Sequence, residues 1–122
     1  MASAKLAEKA GILNITIEQG ATFNPVLTWK DENGVVIDLT GYSARMQIRD
    51  TVDATSFIAE LTDLTGEIVL GGTAGTITFN LSAAATAAFT FDSAVYDLEL
   101  VNGTIVNRLL KGEVILSKEV TR

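Results

Sequence analysis

The chain has no cysteine and no histidine among its 122 residues. Serine–histidine–aspartate and cysteine–histidine nucleophiles are thereby excluded, and so are the usual zinc ligands. No disulfide frame can form, which fits folding in a reducing cytosol. Charge is also scarce: 20% of residues are charged, 9 basic against 15 acidic, for a formal net charge of -6. An acidic domain repels phosphate backbones and anionic lipid surfaces, so neither nucleic acid nor membrane is an expected partner. No apolar run reaches the length of about 18 residues that crosses a bilayer as a helix. Proline occurs once, at Pro25, and tryptophan once, at Trp29.

What is present is apolar and rich in turns. Hydrophobic residues make up 48% of the chain, enough for one domain around one core. Some of the surplus is alanine, and the remainder is expected to be buried against other subunits. The first residues, "MASAKLAEKAGILN", do not form a signal peptide, because Glu8 and Lys9 interrupt the place where its apolar core would lie. Met1 to Leu13 reads as a partly helical N-terminal arm that orders on docking, and residues 14–122 read as a single domain.

Alternation carries most of that domain. "NITIE" sets Ile15 and Ile17 on one face, as a half-buried strand does. "TFNPVLTWK" offers Phe23, Val26 or Leu27, and Trp29 to the core, with Pro25 predicting an edge or a bulge. Asn33-Gly34 predicts a hairpin returning through "VVID", and Asp38 and Gly41 predict the next turn. "ARMQIRD" puts Ala44, Met46 and Ile48 opposite Arg45, Gln47 and Arg49. "SFIAEL", "GEIVLGG" and "GTITFNL" read as further strands, the last with Ile77, Phe79 and Leu81 inward. Ser82 is a predicted N-cap for a short helix through the alanine run. "SAVYDLELV" and "TIVNRLLKGEVILSKEV" form the closing pair across Asn102-Gly103, with Gly112 at an expected bulge or kink. The sum is an all-β chain, an antiparallel, broadly Ig-like β-sandwich of about seven to nine strands with one short helix.

Carboxylates are the main remaining chemistry. Asp31, Glu32 and Asp38 cluster near the first turn, but "DENG" lacks the alternating oxygen ligands of a calcium loop. They read as solvated turn residues, as do Asp50 and Asp53. Glu60, Asp63, Glu67, Asp92, Asp97 and Glu99 could supply two carboxylates at the roughly 5–10 Å that glycoside hydrolysis needs. Asp97 and Glu99, however, alternate with Tyr96, Leu98 and Leu100 and read as a polar sheet face. "GGTAGT", Gly71 to Thr76, is followed by neither a lysine nor a helix and is no phosphate loop. Trp29, Tyr42, Phe57, Phe89, Phe91 and Tyr96 would line a sugar-binding face if exposed, and are expected in the core or an interface. No catalytic, cofactor-binding or metal-binding residue is assigned.

The stretch "ITIEQGATFNPVLTWKDENGVVIDLTGYSARMQIRD" resembles the opening of β-sandwich domains of phage virion proteins, in particular the N-terminal domain of the phage baseplate upper protein family. The resemblance rests on several short steps. They are Gly20, Thr22 and Phe23; then Leu27, Lys30, Asp31 and Gly34; then Asp38 to Gly41; and an alternating strand from Ala44 to Arg49. The closing "YDLELV…LLKGEVILSKEVTR" is similar to that family's last strands. Members of the family continue into fibre-like or receptor-facing segments, whereas this chain ends at Arg122, so a free-standing module is expected. The resemblance implies a non-enzymatic structural protein of a tailed phage or prophage particle, located in the virion. Such a protein would assemble as a homo-oligomer and with other virion proteins, at the tail or baseplate. A head-decoration protein and a carbohydrate- or surface-binding module are the alternatives.

Overall fold

The structure, a computed structural model, describes residues 11–122. Among these residues nine strands run in the order β1 (Gly11–Ile12), β2 (Ile15–Glu18), β3 (Val26–Thr28), β4 (Ser43–Arg49), β5 (Ala59–Thr62), β6 (Ile68–Leu70), β7 (Thr76–Phe79), β8 (Ser93–Asn102) and β9 (Ile105–Ser117). One α-helix, α1 (Ala83–Ala87), lies between β7 and β8. The strands form two sheets: β1–β9–β8–β4–β5, with β2 also paired to β9, and the small sheet β3–β7–β6. This is the all-β sandwich expected from the alternation. One departure from the antiparallel pattern stands out: β1 and β2 run parallel to β9, with Ile12 opposite Lys111 and Ile17 opposite Leu116.

Alternation decides which side chains meet between the sheets. Ala44, Met46 and Ile48 of β4, with Tyr96, Leu98 and Leu100 of β8, are all buried on one face of the large sheet. Ile77 and Phe79 of β7, Ile68 of β6, Trp29 and Leu39 face them from the other side of the same core. Each fully buried aliphatic or aromatic side chain stabilises the fold by roughly 1.5–3 kcal/mol, so the β4–β8 pairing contributes a large share of the core. Ser82 caps α1 as expected, its Oγ accepting from the Ala85 amide at 3.1 Å. Thr86 of α1, fully buried, accepts from the Gly20 amide at 3.0 Å and donates to the Ala21 carbonyl at 2.8 Å. That hydroxyl ties the helix to the turn after β2.

Several sequence expectations change in detail. "VVID" forms no strand; only the Lys30–Val36 bridge remains of that hairpin. Its turn is not the mirror-image type that Asn-Gly favours, because no residue other than glycine has positive φ. Instead the Asp31 carbonyl accepts from the Gly34 amide at 3.0 Å, while Asp31 Oδ1 accepts from the Asn33 and Val35 amides at 2.8 and 2.9 Å. The Asp31 side chain closes the turn, so Asn33 need not enter the left-handed region. At the second hairpin the loop is Gly103-Thr104, and Gly103, with φ of 64°, supplies the one positive φ of a type II′ turn. Val26 points outward and Leu27 inward, which settles that alternative.

The bulge expected at Gly112 lies at Leu109, where the β8–β9 register shifts between Leu98 and Glu99. Strict alternation would put Arg108 and Lys111 on opposite faces; the extra residue turns both outward. Gly112 has a different task. A Cβ there would sit 2.3 Å from the Leu13 carbonyl oxygen, so only glycine lets the chain between β1 and β2 cross this point of β9. Gly11 to Leu13, expected in the arm, therefore lie on the large sheet. Met1 to Ala10, the rest of that expected arm, lie outside the described residues.

Candidate functional site

Two concave surfaces stand out among the described residues. The larger, about 590 Å³, is the outer face of the large sheet. Neighbouring strands place opposite charges side by side on it: Glu99 of β8 lies between Arg45 and Arg108, and Asp97 lies between Gln47 and Lys111. Arg45 Nε meets Glu99 Oε1 at 2.7 Å, and Arg108 Nε meets Asp97 Oδ2 at 3.3 Å. Gln47 donates to Glu60 at 2.7 Å and accepts from Arg49 at 2.7 Å. Every sign change is thus met across a strand, the arrangement that cross-strand pairing favours. Asp97 and Glu99 each hold a cation, so they are not a carboxylate pair open to a shared substrate. The face reads as a solvated ladder, as the alternation of β8 implied.

Three further carboxylates are taken up by the backbone or by a neighbouring cation. Asp38 Oδ1 accepts from both the amide and the hydroxyl of Thr40, at 2.9 and 2.6 Å, and these hydrogen bonds hold its pKa below the ordinary value. Asp63 accepts from the Ala44 amide at 3.0 Å, fixing the chain between β5 and β6. Asp92 meets Lys118 at 3.4 Å near the end of β9. Among the described residues no group of three acidic side chains gathers that could hold a metal ion. Gly72–Ala74, within "GGTAGT", is a single 3-10 turn joining β6 to β7. Arg49, rather than Asp50 or Asp53, organises the loop after β4, through Nη1 to the Ala54 carbonyl at 2.8 Å.

The aromatic residues are drawn inward. Trp29 packs edge-on to Tyr42 with ring centroids 6.2 Å apart, and Phe89 lies 5.5 Å from Phe91. Tyr96 is buried and donates to the Leu13 carbonyl at 2.6 Å. Burial pushes its phenol up to about 12. Phe57 alone of the six named aromatics is exposed.

The second concavity is a cleft of about 280 Å³ at an open seam of the sandwich. Leu27, Thr28 and Trp29 border it from the small sheet, and Ile12, Leu13, Leu109 and Leu110 from the large one. Among the described residues no charged side chain lines it. Trp29, one of its lining residues, carries an unusual group, because its Nε1 is buried with no hydrogen-bond partner among the described residues. β3 is the edge of its sheet, as Pro25 predicted. Leu27 pairs with Ile77, the Trp29 amide bonds to Gly75, and the Pro25 carbonyl accepts from Phe79. The backbone groups of Val26 and Thr28 therefore face the open edge. Sequence reading did not find this seam; its signal was the Leu109-Leu110 pair, which breaks the alternation between Arg108 and Lys111.

No protein-family model and no curated protein matches the sequence. Among solved structures the chain is similar to a DUF4784 family protein from Bacteroides caccae, with a TM-score of 0.45 and 12% identity. That alignment covers 89% of this chain and 23% of the other, so the chain spans less than a quarter of that protein's length. Among the described residues no helix is long and apolar enough to cross a membrane.

Proposed function

We propose that this chain is a non-enzymatic structural protein of a tailed phage or prophage particle, a tail- or baseplate-associated sandwich that assembles with itself and with neighbouring virion proteins. The observation that carries the assembly part is the open seam, a cleft that among the described residues is apolar and uncharged and lies beside an edge strand whose outer backbone groups have no partner. Such an edge accepts another chain, and repeated copies convert weak contacts into avidity. The clustered carboxylates support the non-enzymatic part, since they serve as turn caps and cross-strand partners. The virion assignment rests on the sequence resemblance. The inward aromatics weigh against a carbohydrate-binding module, which needs rings at the surface.

The test is to induce the phage or prophage that carries this chain and purify its particles on a density gradient. The chain is expected in the particle band, in multiple copies per particle by quantitative mass spectrometry. Its confinement to the soluble host fraction would overturn the proposal.

A further inference from the structure

We propose that Asn102 is a site of spontaneous covalent modification, in which the Gly103 amide nitrogen closes on the Asn102 side chain and the resulting ring opens to aspartate or isoaspartate. Two of the six asparagines, Asn33 and Asn102, precede glycine. Glycine has no Cβ to shield its nitrogen, so both pairs carry the local chemistry for this reaction. Both lie at exposed turns, and a Cβ built at Gly34 or at Gly103 meets nothing within 4 Å. Crowding therefore does not separate the two sites. Hydrogen bonding does.

At Asn33 the nucleophile is already engaged. The Gly34 amide donates to the Asp31 carbonyl at 3.0 Å. Asp31 Oδ1 accepts from the amides of Asn33 and Val35 at 2.8 and 2.9 Å, and the Asp31 amide donates to the Val35 carbonyl at 2.8 Å. Swinging the Gly34 nitrogen onto the Asn33 side chain breaks this latch. At Asn102 the turn bond of a two-residue loop joins the residues on either side of it, Asn102 and Ile105, and leaves the Gly103 amide out. That amide has no hydrogen-bond partner among the described residues. Asn102 and Ile105 are also the last rung of the β8–β9 ladder, and Ile105 is 62% exposed. Rotating the Asn102 backbone into position opens only a terminal pair, the kind that frays most readily.

The reaction needs no co-reactant but water. The bond from Gly103 N to Asn102 Cγ forms as the Cγ–Nδ2 bond breaks, and ammonia leaves with the Gly103 proton. Water then opens the ring. Cleavage at Cγ gives aspartate. Cleavage at the Asn102 main-chain carbonyl gives isoaspartate, whose extra methylene enters the backbone of the hairpin. Either product adds one negative charge to the formal net charge of -6. The inference stands apart from the assembly reading and does not depend on it.

The test incubates the full folded chain at neutral pH and follows each asparagine peptide by mass spectrometry, with isoaspartate read by enzymatic methyl transfer. Asn102 is expected to convert about tenfold or more faster than Asn33, the factor set by the bonds that Asn33 must break. In urea, with both turns undone, the two are expected to convert at similar rates. Asp31→Ala removes the side-chain half of the latch and is expected to speed Asn33 several-fold while leaving Asn102 unchanged. Equal rates in the folded chain, or a faster Asn33, would overturn the assignment. So would an Asn102 that converts only in urea, since the last rung would then lock the hairpin. An Asn33 rate unmoved by Asp31→Ala would overturn the latch as the source of the difference.

Discussion

Tyr96 shows how one side chain joins core and surface energetics. Its ring packs with Ile48 and Leu98 in the core, while its hydroxyl reaches the Leu13 carbonyl at 2.6 Å. The phenol is neutral when protonated, so burial favours the protonated form, and the folded value of about 12 lies above the unfolded value of about 10. Folded protein therefore keeps a proton that the unfolded chain releases. The stability from this group is whole below pH of about 10 and is lost as pH rises through about 12. Tyr96→Phe leaves the Leu13 carbonyl without that donor and is expected to cost about 1 kcal/mol at neutral pH. Urea midpoints measured against pH should show the two proteins converging above pH of about 10, because Tyr42 is common to both and only the wild type has the buried Tyr96 phenol to ionise. Parallel curves would mean that the Tyr96 hydroxyl is not the group that senses alkali. Thr86 and Trp29 make a contrasting pair of buried polar groups. The Thr86 hydroxyl both donates and accepts, while the Trp29 indole N–H is unpartnered among the described residues. An unmet donor of that kind costs on the order of 1–3 kcal/mol, which the burial of a large aromatic ring can offset.

Elements written in a local pattern of residues were legible from the sequence, and features that depend on which distant segment meets them were not. β4 and β8 follow from alternation alone, because Met46, Ile48, Leu98 and Leu100 sit where period two puts them. The cap of α1 and the edge position of β3 followed from Ser82 and Pro25. The parallel addition of β1 and β2 to β9 could not be read, since "GILN" carries no sign of which strand it will meet. Nor could the role of Gly112, whose neighbour in space is the Leu13 backbone about a hundred positions earlier. The same distance hid the seam, which exists only once Ile12, Trp29 and Leu109 are brought together. The crossing at Gly112 carries its own prediction. Gly112→Ala would set a Cβ 2.3 Å from the Leu13 oxygen and 2.9 Å from Asn14 Oδ1, atoms that cannot retreat without breaking their bonds to Tyr96 and to the Glu113 amide. The expected cost is about 2–4 kcal/mol, with amide exchange rising selectively at Leu13 and Gln19, whose amides bond to β9. A global, uniform rise in exchange would instead place the strain in the core.

At the scale of the whole molecule the first described strands are joined to the C-terminal segment. Asn14 Oδ1 accepts from the Glu113 amide at 3.0 Å, and Gln19 Oε1 from the Glu119 amide at 2.8 Å. Gln19 also donates to the Phe89 carbonyl at 2.9 Å, so one side chain links the first strands, the segment after α1 and the C-terminal end. Contacts between the two ends must close nearly the entire chain, and that entropy is spent before they return any stability. The β4–β8 and β8–β9 pairings demand shorter loops and bury the larger side chains. The order of events follows: the large sheet forms around β8, and the N-terminal strands add to β9 last. A sandwich dominated by such pairings is expected to refold in milliseconds to seconds. The order is tested by two substitutions compared in stopped-flow kinetics across a denaturant series. Asn14→Ala removes the bond to Glu113 and should lower stability by about 1 kcal/mol, entirely by speeding unfolding. Leu98→Ala, in the β8 centre, should cost about 2–5 kcal/mol and slow folding itself. If Asn14→Ala slowed folding as much as it destabilised the protein, the N-terminal strand would already be docked in the transition state, and the ends would be the nucleus of this fold rather than its last closure.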